Sequence, residues 1–469
     1  MHISVVSRKT HEKKDTLFIP YTHNMTQLLE RFNDKDAKYI EEYAKDTGFG
    51  MEDCELIKLP EMGNTVLLCG IKEMMHSIAS GIRKYHHRIT TIVYDMEILK
   101  AMNIDDEMLA RIITNATVLG SYDAQETEGY EESSGLTKMI INVADDKIEW
   151  YRKLYDIAYE NAKSTLDARI LSNSSIVLEG TDKIMEAVRK ALGRKFKTKI
   201  YRAKDFKLYK YRGIAELSEY SKEEPVMIIA EHKAERGKTI ALCASLLLHP
   251  FQTTSSLKKQ MLPLGIATAI ANIHTNTEKD TSLLIVISIA NLKETSSLIQ
   301  KPIRLGCGSS YELESRDTIS LIPLSDTIYA ASKYKPRQII SLNSDTIGFS
   351  SFLGTGRAAY LSNSDVSTQL LDDAGKNALE KVYRLPLEYS EEVHTGIRKN
   401  YRLIGSDNME SWIHNARMLE VNSSGYPWMH IDLSACNHTT SSYGIMSRGS
   451  TGYGAALINE YLKILENKG

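Results

Sequence analysis

Few residues in this 469-residue chain stand at spacings that would let them share a reaction. His430 and Asp432 lie two apart in Pro427-Trp-Met-His-Ile-Asp-Leu-Ser434, which reads as a strand, so both fall on one face. An imidazole beside a carboxylate can move a proton, but within a strand the pair reads better as a structural hydrogen-bonding element. His232 directly follows Glu231 and gives a second such neighbourhood. Asp317 could hold a hard cation through oxygen, whereas Ile319, two residues on, offers no lone pair. No H-E-x-x-H, G-x-S-x-G or P-loop signature occurs, and Gly452 and Gly454 fit a turn into the last helix rather than a phosphate cradle.

A different chemistry is suggested by the stretch Arg189 to Arg212, with its dense basic residues interleaved with Phe196, Tyr201, Phe206, Tyr209 and Tyr211. Basic side chains make phosphate contacts and aromatics stack on bases. The plainer reading, which we prefer, is a solvated helix–strand–helix edge with its aromatics in the core.

The elements that must position these residues follow from length and periodicity. The chain is too long for one ordinary core, so two or three domains are expected. A hydrophobic fraction of 42% and a charged fraction of 25% are those of a soluble globular protein. The formal net charge of -2 gives no overall pull toward nucleic acid or acidic membranes. Cys54, Cys69, Cys243, Cys307 and Cys436 form no C-x-x-C pair and read as buried reduced thiols. No apolar run reaches the ~18 residues a membrane span needs, so no membrane partner and a cytoplasmic location are expected.

Residues 1–145 alternate short apolar runs with helical patterns. Strands are expected at Asn64–Gly70 and Ile89–Tyr94, and helices at Lys72–Tyr85 and Leu109–Leu119. This is an α/β layer with a parallel or mixed sheet. The acidic stretch Glu126 to Gly135 reads as a loop. Ile148, Tyr151, Leu154, Ala158, Ala162 and Leu166 are spaced by three or four, as on one long amphipathic helix. Thr181 or Asp182 is expected to cap the next helix, through Leu192. The domains are therefore placed at 1–145, a connecting helix at 146–166, and 167–469.

Several ordered segments resemble the leucyl (cytosol) aminopeptidase family. Asn115-Ala-Thr-Val-Leu-Gly-Ser-Tyr122 is similar to the family's A-x-L-L-G-x-Y. Asp167-Ala-Arg-Ile-Leu-Ser-Asn173 resembles its A-R-x-L-x-N, and Tyr383-Arg-Leu-Pro-Leu387 its W-R-L-P-L. Trp428-Met-His-Ile-Asp-Leu-Ser434 resembles W-x-H-L-D-I-A, and Ser450-Thr-Gly-Tyr-Gly-Ala-Ala-Leu457 the A-T-G opening of the terminal helix. The resemblance implies a smaller N-terminal α/β domain and a C-terminal aminopeptidase-like α/β domain with a central mixed sheet. It also implies a homohexamer, a dimer of trimers.

The family's chemistry is two-metal hydrolysis of an N-terminal peptide bond, with zinc, manganese or magnesium held by a lysine, three aspartates and a glutamate. A second lysine and an arginine assist. Over Arg316-Asp317-Thr318-Ile319-Ser320-Leu321 the family's N-T-D-A-E-G-R-L implies Asp317 as a surviving metal ligand, with Ile319 at the glutamate and Leu321 at the arginine. Lys238–Ser245 is the expected strand and Leu246–Lys258 the loop of the first ligand segment. Phe251 aligned with the family phenylalanine puts Gln252 at an aspartate, Leu247 at the metal-binding lysine and Lys258 near the catalytic lysine. A rival alignment on Gly237-Lys238 keeps that lysine and sets Cys243 at the aspartate. The next segment, Lys259–Ala267, has no aspartate and places Leu262 there.

Two dications need several anionic ligands to neutralise them, so no metal cofactor is expected. The favoured reading is a catalytically inactive family member kept as a homo-oligomeric structural or regulatory scaffold. The alternatives are a divergent aminopeptidase using two divalent ions (Zn, Mn or Mg) and an anion- or nucleic-acid-binding module working through 189–212. Nucleic acid is the disfavoured partner.

Overall fold

In the computed structural model of the chain, the described residues are 1–7, 12, 14–22, 25, 29–30, 32–122, 135–235, 237–276, 280–299, 301–344, 353–387, 400–403 and 409–467, with backbone alone at 400–403 and 409–411. Residues 126–134 of the expected acidic loop lie outside them.

Short apolar runs in the first part of the chain build a six-stranded sheet: β1 (His2–Ser7), β2 (Thr16–Tyr21), β3 (Cys54–Lys58), β4 (Thr65–Gly70), β5 (Thr91–Asp95) and β6 (Lys138–Val143). The order is β1-β6-β5-β2-β4-β3, parallel throughout except for β3 against β4. Helices α1 (Asp34–Thr47), α2 (Met74–Lys84) and α3 (Asp106–Gly120) cross between the strands. The expected elements at 64–122 all form, within three residues of their predicted ends. Helix α3 approaches α2 closely because Gly120 has no side chain: a Cβ there would lie 2.8 Å from the backbone of Ala79. This is the physical content of the glycine in the Asn115–Tyr122 motif.

Cys54 and Cys69 stand directly opposite one another on β3 and β4 and are joined by a disulfide. This corrects the expectation of five reduced thiols. Scattered spacing in sequence says nothing about cross-strand register, which set this pair face to face. Cys243 and Cys436 are free and buried, and Cys307 is free and half-buried.

The long helix α4 spans Ile148–Asn173, not 146–166. Ala168 and Arg169 are as buried as Tyr151 and Tyr155, so the apolar stripe runs on past Leu166. The chain divides within this helix into two compact units, Met1–Leu166 with Thr439–Arg448, and Asp167–His438 with Gly449–Gly469. The expected uninterrupted domain at 167–469 is thus corrected: ten residues near its end belong to the first unit. There Tyr443 stacks on His76 of α2 and its hydroxyl bonds the Glu73 carboxylate at 2.5 Å, while Gly444 N–H donates to Ser80 Oγ. No periodicity marks such an excursion.

The second unit is built on α5 (Thr181–Leu192), β7 (Lys197–Tyr201), α6 (Ala203–Leu208), β8 (Ser221–His232), β9 (Thr239–Leu248), α7 (Thr254–Gln260), α8 (Leu262–Asn276) and β10 (Ser282–Leu292). It continues with β11 (Pro302–Arg304), β12 (Ser310–Leu313), α9 (Leu321–Ser332), β13 (Gln338–Asn343), β14 (Arg357–Ser362), α10 (Asp365–Ala378), β15 (Lys381–Arg384) and β16 (Asn400–Leu403). It ends with α11 (Met409–Glu420), β17 (Trp428–Asp432) and α12 (Ala455–Asn467). Eight strands form a mixed sheet in the order β15-β14-β17-β13-β9-β10-β8-β7, whose centre, β17-β13-β9-β10, is parallel. Ser-Leu-Leu-Ile-Val-Ile-Ser-Ile-Ala-Asn-Leu in β10 is buried at every position but one, as a central strand covered on both faces must be. Helix α5 ends at Leu192 as expected but starts at Thr181, so Thr181 is helical and not the cap: the cap is Gly180 at φ 94°, and Glu223 of β8 accepts the Thr181 N–H at 2.6 Å. A Cβ at Gly180 would meet that carboxylate at 2.7 Å.

Among the described residues no helix is long and apolar enough to cross a membrane. Gly120→Leu is expected to force α2 and α3 apart and destabilise the first unit by about 2–4 kcal/mol. Urea unfolding followed by far-UV circular dichroism checks this, and a midpoint within error of wild type would mean the helices repack freely.

Candidate functional site

The first element that places candidate residues is β9. Leu246-Leu-Leu248 extends its buried run, so Leu247 lies within the strand and not in the expected loop. The chain then turns at 249–252, and Thr253 caps α7 by accepting the Ser256 N–H through Oγ1 at 3.2 Å. Thr254 and Ser255 therefore form a helical first turn. A hydroxyl residue such as Thr253 favours that cap. Lys258 sits half-exposed on α7, not at a loop end.

The second element is the link from β12 to α9. Arg316–Thr318 form one 3-10 turn carrying an exposed Asp317, and Ile319 and Leu321 follow at 1% and 3% exposure. They share one apolar cluster with Leu247, Cys243 and Trp428. Ser245 Oγ donates to the Ser320 carbonyl at 3.5 Å, so β9 and the start of α9 lie side by side. Leu262, at the head of α8, is fully buried.

The fold thus brings together the segments that the resemblance assigns to metal binding, but not a set of donors. Leu247, Leu262, Ile319 and Leu321 are hydrocarbon and buried. Gln252 is engaged within its own turn: Oε1 accepts the His249 N–H at 2.8 Å, and Nε2 donates to the Leu247 carbonyl at 3.0 Å and to Gln260 Oε1 at 2.9 Å. Cys243, which the rival alignment places at the aspartate, is buried in the core, and burial raises its pKa. Lys238 of that alignment is exposed just before β9 and lines a different depression, with Asp280, Arg337 and Glu466. Among the described residues no three His, Cys, Asp or Glu side chains converge in a metal-holding group. These residues do not fit a pair of dications.

What surrounds Asp317 includes a residue that sequence reasoning missed. His249 is half-buried and its Nδ1 makes no hydrogen bond among the described residues. Burial, reinforced by Arg316, holds its pKa below the usual histidine value, against the opposing pull of Asp317. The Arg316 guanidinium lies 4.6 Å over the ring of Phe251, which is 63% exposed. No motif marks His249, because its relation to Asp317 is made only by the packing of β9 beside α9.

The other pairs flagged by spacing are structural. His430 is fully buried, hydrogen-bonded through Nδ1 to Ser341 Oγ at 2.8 Å and stacked on Trp428; burial pushes its pKa down to about 3. It is a neutral core group. Asp432 accepts the Ser434 N–H at 2.9 Å and caps the turn after β17. His232 lies against Phe196, and Glu231 pairs with Lys233 at 3.5 Å.

Two buried acids tie the second unit together. Asp326 on α9 accepts the Ile214 N–H at 2.7 Å, and burial raises its pKa to about 7. Glu380 accepts the Gly454 and Leu457 N–H groups at the start of α12, both at 3.0 Å, with buried Arg169 nearby. Burial likewise raises its pKa to about 7.

This is a two-unit α/β protein whose larger unit has the architecture of a metallopeptidase. A profile of the catalytic domain of the cytosol aminopeptidase family matches residues 168–459. The chain belongs to that family. It is 24% identical over 309 residues to a probable cytosol aminopeptidase 1 of Shewanella oneidensis, an alignment covering 63% of this chain and 62% of that protein. The bottromycin maturation enzyme BotP superposes with a TM-score of 0.81 at 17% identity, covering 97% of this chain and 99% of that one. A structure of BotP in complex with Mn superposes at 0.79 with 16% identity, covering 97% and 100% of the two chains. The structural matches share the fold.

Two outcomes are expected. Ile319→Glu buries a carboxylate in the cluster with Leu247 and should destabilise the second unit by about 2–4 kcal/mol in urea unfolding; a neutral effect would place residue 319 at a solvated site. The second concerns pH. An acid whose folded pKa exceeds its unfolded value lends stability that is full below the unfolded pKa and lost as pH rises through the folded one. For Glu380 that window runs from 4.5 to about 7 and is worth up to about 3 kcal/mol. Glu380→Gln should flatten the fall in melting temperature across that window, and an unchanged slope would assign it to other groups.

Proposed function

We propose that this chain is a catalytically inactive member of the cytosol aminopeptidase family, retained as a cytoplasmic homo-oligomer, a hexamer, with a structural or regulatory role. The observation that supports this reading is the burial of Leu247, Leu262 and Ile319, each at 3% exposure or less, where the family resemblance calls for a lysine, an aspartate and a glutamate. A hydrocarbon side chain packed in a core supplies no ligand and no route for a water to be activated. Asp317 alone remains of the family's carboxylates, and Lys258 of its catalytic lysines. One carboxylate cannot neutralise two dications, which supports the reading whether or not a single ion visits Asp317. Retention of the hexamer is inferred from the shared fold alone.

Elemental analysis of the purified oligomer after incubation with manganese or zinc tests this, with leucine-amide hydrolysis assayed on the same sample. The expected result is metal at background and no turnover. One or two ions per chain with turnover would overturn the reading and favour a divergent two-metal aminopeptidase with substitute ligands.

A further inference from the structure

We propose that the outer edge of β7 receives an acidic, extended polypeptide segment as an added strand. β7 closes the eight-stranded order and pairs only with β8, so among the described residues its other edge has no strand partner. An unpaired edge presents a row of backbone donors and acceptors ready for one more strand. In Lys197-Thr-Lys-Ile-Tyr201 the exposed Lys197 and Lys199 share one face, while half-buried Thr198 and exposed Ile200 share the other.

The surroundings have the same sign. Arg194, Lys204 and Lys207 are exposed, and neither they nor Lys197 and Lys199 have an ion-pair partner among the described residues. Arg202, by contrast, is already neutralised by Asp182 at 2.6 Å and Glu224 at 3.8 Å. Leu208 and Tyr209, 73% and 43% exposed, add apolar surface to the same stretch.

Lysines on an edge ordinarily guard it against neutral strands. The guard is also a selection rule. A second copy offering its own β7 would set lysine against lysine, whereas carboxylates opposite Lys197 and Lys199 make favourable cross-strand pairs. The chemistry therefore calls for a partner of alternating acidic and aliphatic residues. Nucleic acid fits less well, because Phe196, Tyr201, Phe206 and Tyr211 are buried and Tyr209 is held edge-on against Tyr201.

The test uses the full chain in its native assembly and a fluorescein-labelled Glu-Val-Glu-Val-Glu-Val peptide, followed by anisotropy. Saturable binding is expected, weakened about tenfold or more in Lys197→Glu/Lys199→Glu and reduced by added salt. The double variant, shown to melt like wild type, should instead take up Lys-Val-Lys-Val-Lys-Val. Absence of Glu-Val binding, or binding indifferent to the double substitution, would overturn the proposal. Equal binding of Glu-Gly-Glu-Gly-Glu-Gly would reduce it to diffuse charge and overturn it. Tighter binding of an oligothymidine than of the peptide would overturn it in favour of nucleic acid, and failure of the charge-reversed variant to bind the lysine peptide would rule out edge pairing.

Discussion

The apolar contact between β9 and the beginning of α9 is what the rest of the second unit depends on. Leu247 at the end of the strand meets the cluster that holds Ile319 and Leu321, and β10 and β13 flank β9 on either side. Full burial of such side chains contributes about 1.5–3 kcal/mol each, an upper estimate because the unfolded chain is already partly collapsed. The same contact fixes what the neighbouring turns can do. With Leu247 turned into the core, the chain leaving β9 has a hydrogen-bonded turn closed by Gln252 and a capped helix, not an open loop. A core built up to the strand end and a solvated metal-binding loop are competing uses of one place.

Much of the fold was legible because it rests on pattern. The period of apolar residues located the strands and helices of 64–122, and ordered local motifs pointed to the family. Register was not legible. Cys54 opposite Cys69 depends on how β3 slides along β4, and single-sequence pattern carries no such information. The end of α4 was missed because Arg169, charged in sequence, is 1% exposed and bonds the Thr451 carbonyl through Nε. A buried arginine reads as a surface residue until its partner is known. The excursion of Thr439–Arg448 into the first unit is a matter of tertiary docking on α2, and its Ser/Thr-rich composition resembles any surface loop.

The candidate site divided along the same line. That Leu247, Ile319 and Leu321 have no donor atoms could be read from residue types alone. Where the fold puts them could not. That Leu247 lies inside β9, that Thr253 nucleates a helix, and that His249 faces the field of Arg316 and Asp317 are products of packing.

Glu380 shows why elements can persist when the proposed loss of catalysis leaves no site to serve. Its carboxylate satisfies two N–H groups at the start of α12, groups that a helix cannot satisfy itself. Removing it would leave buried donors without acceptors, at a cost of about 1–3 kcal/mol for each. Asp326 does the same for the Ile214 N–H. The metal-ligand positions carry no such obligation. Carboxylates gathered for two dications repel one another when the ions are absent, so exchanging them for packed hydrocarbon relieves strain and leaves no backbone group unpaired. On the proposed reading, the acids that complete hydrogen bonds stay and the acids that await metal go.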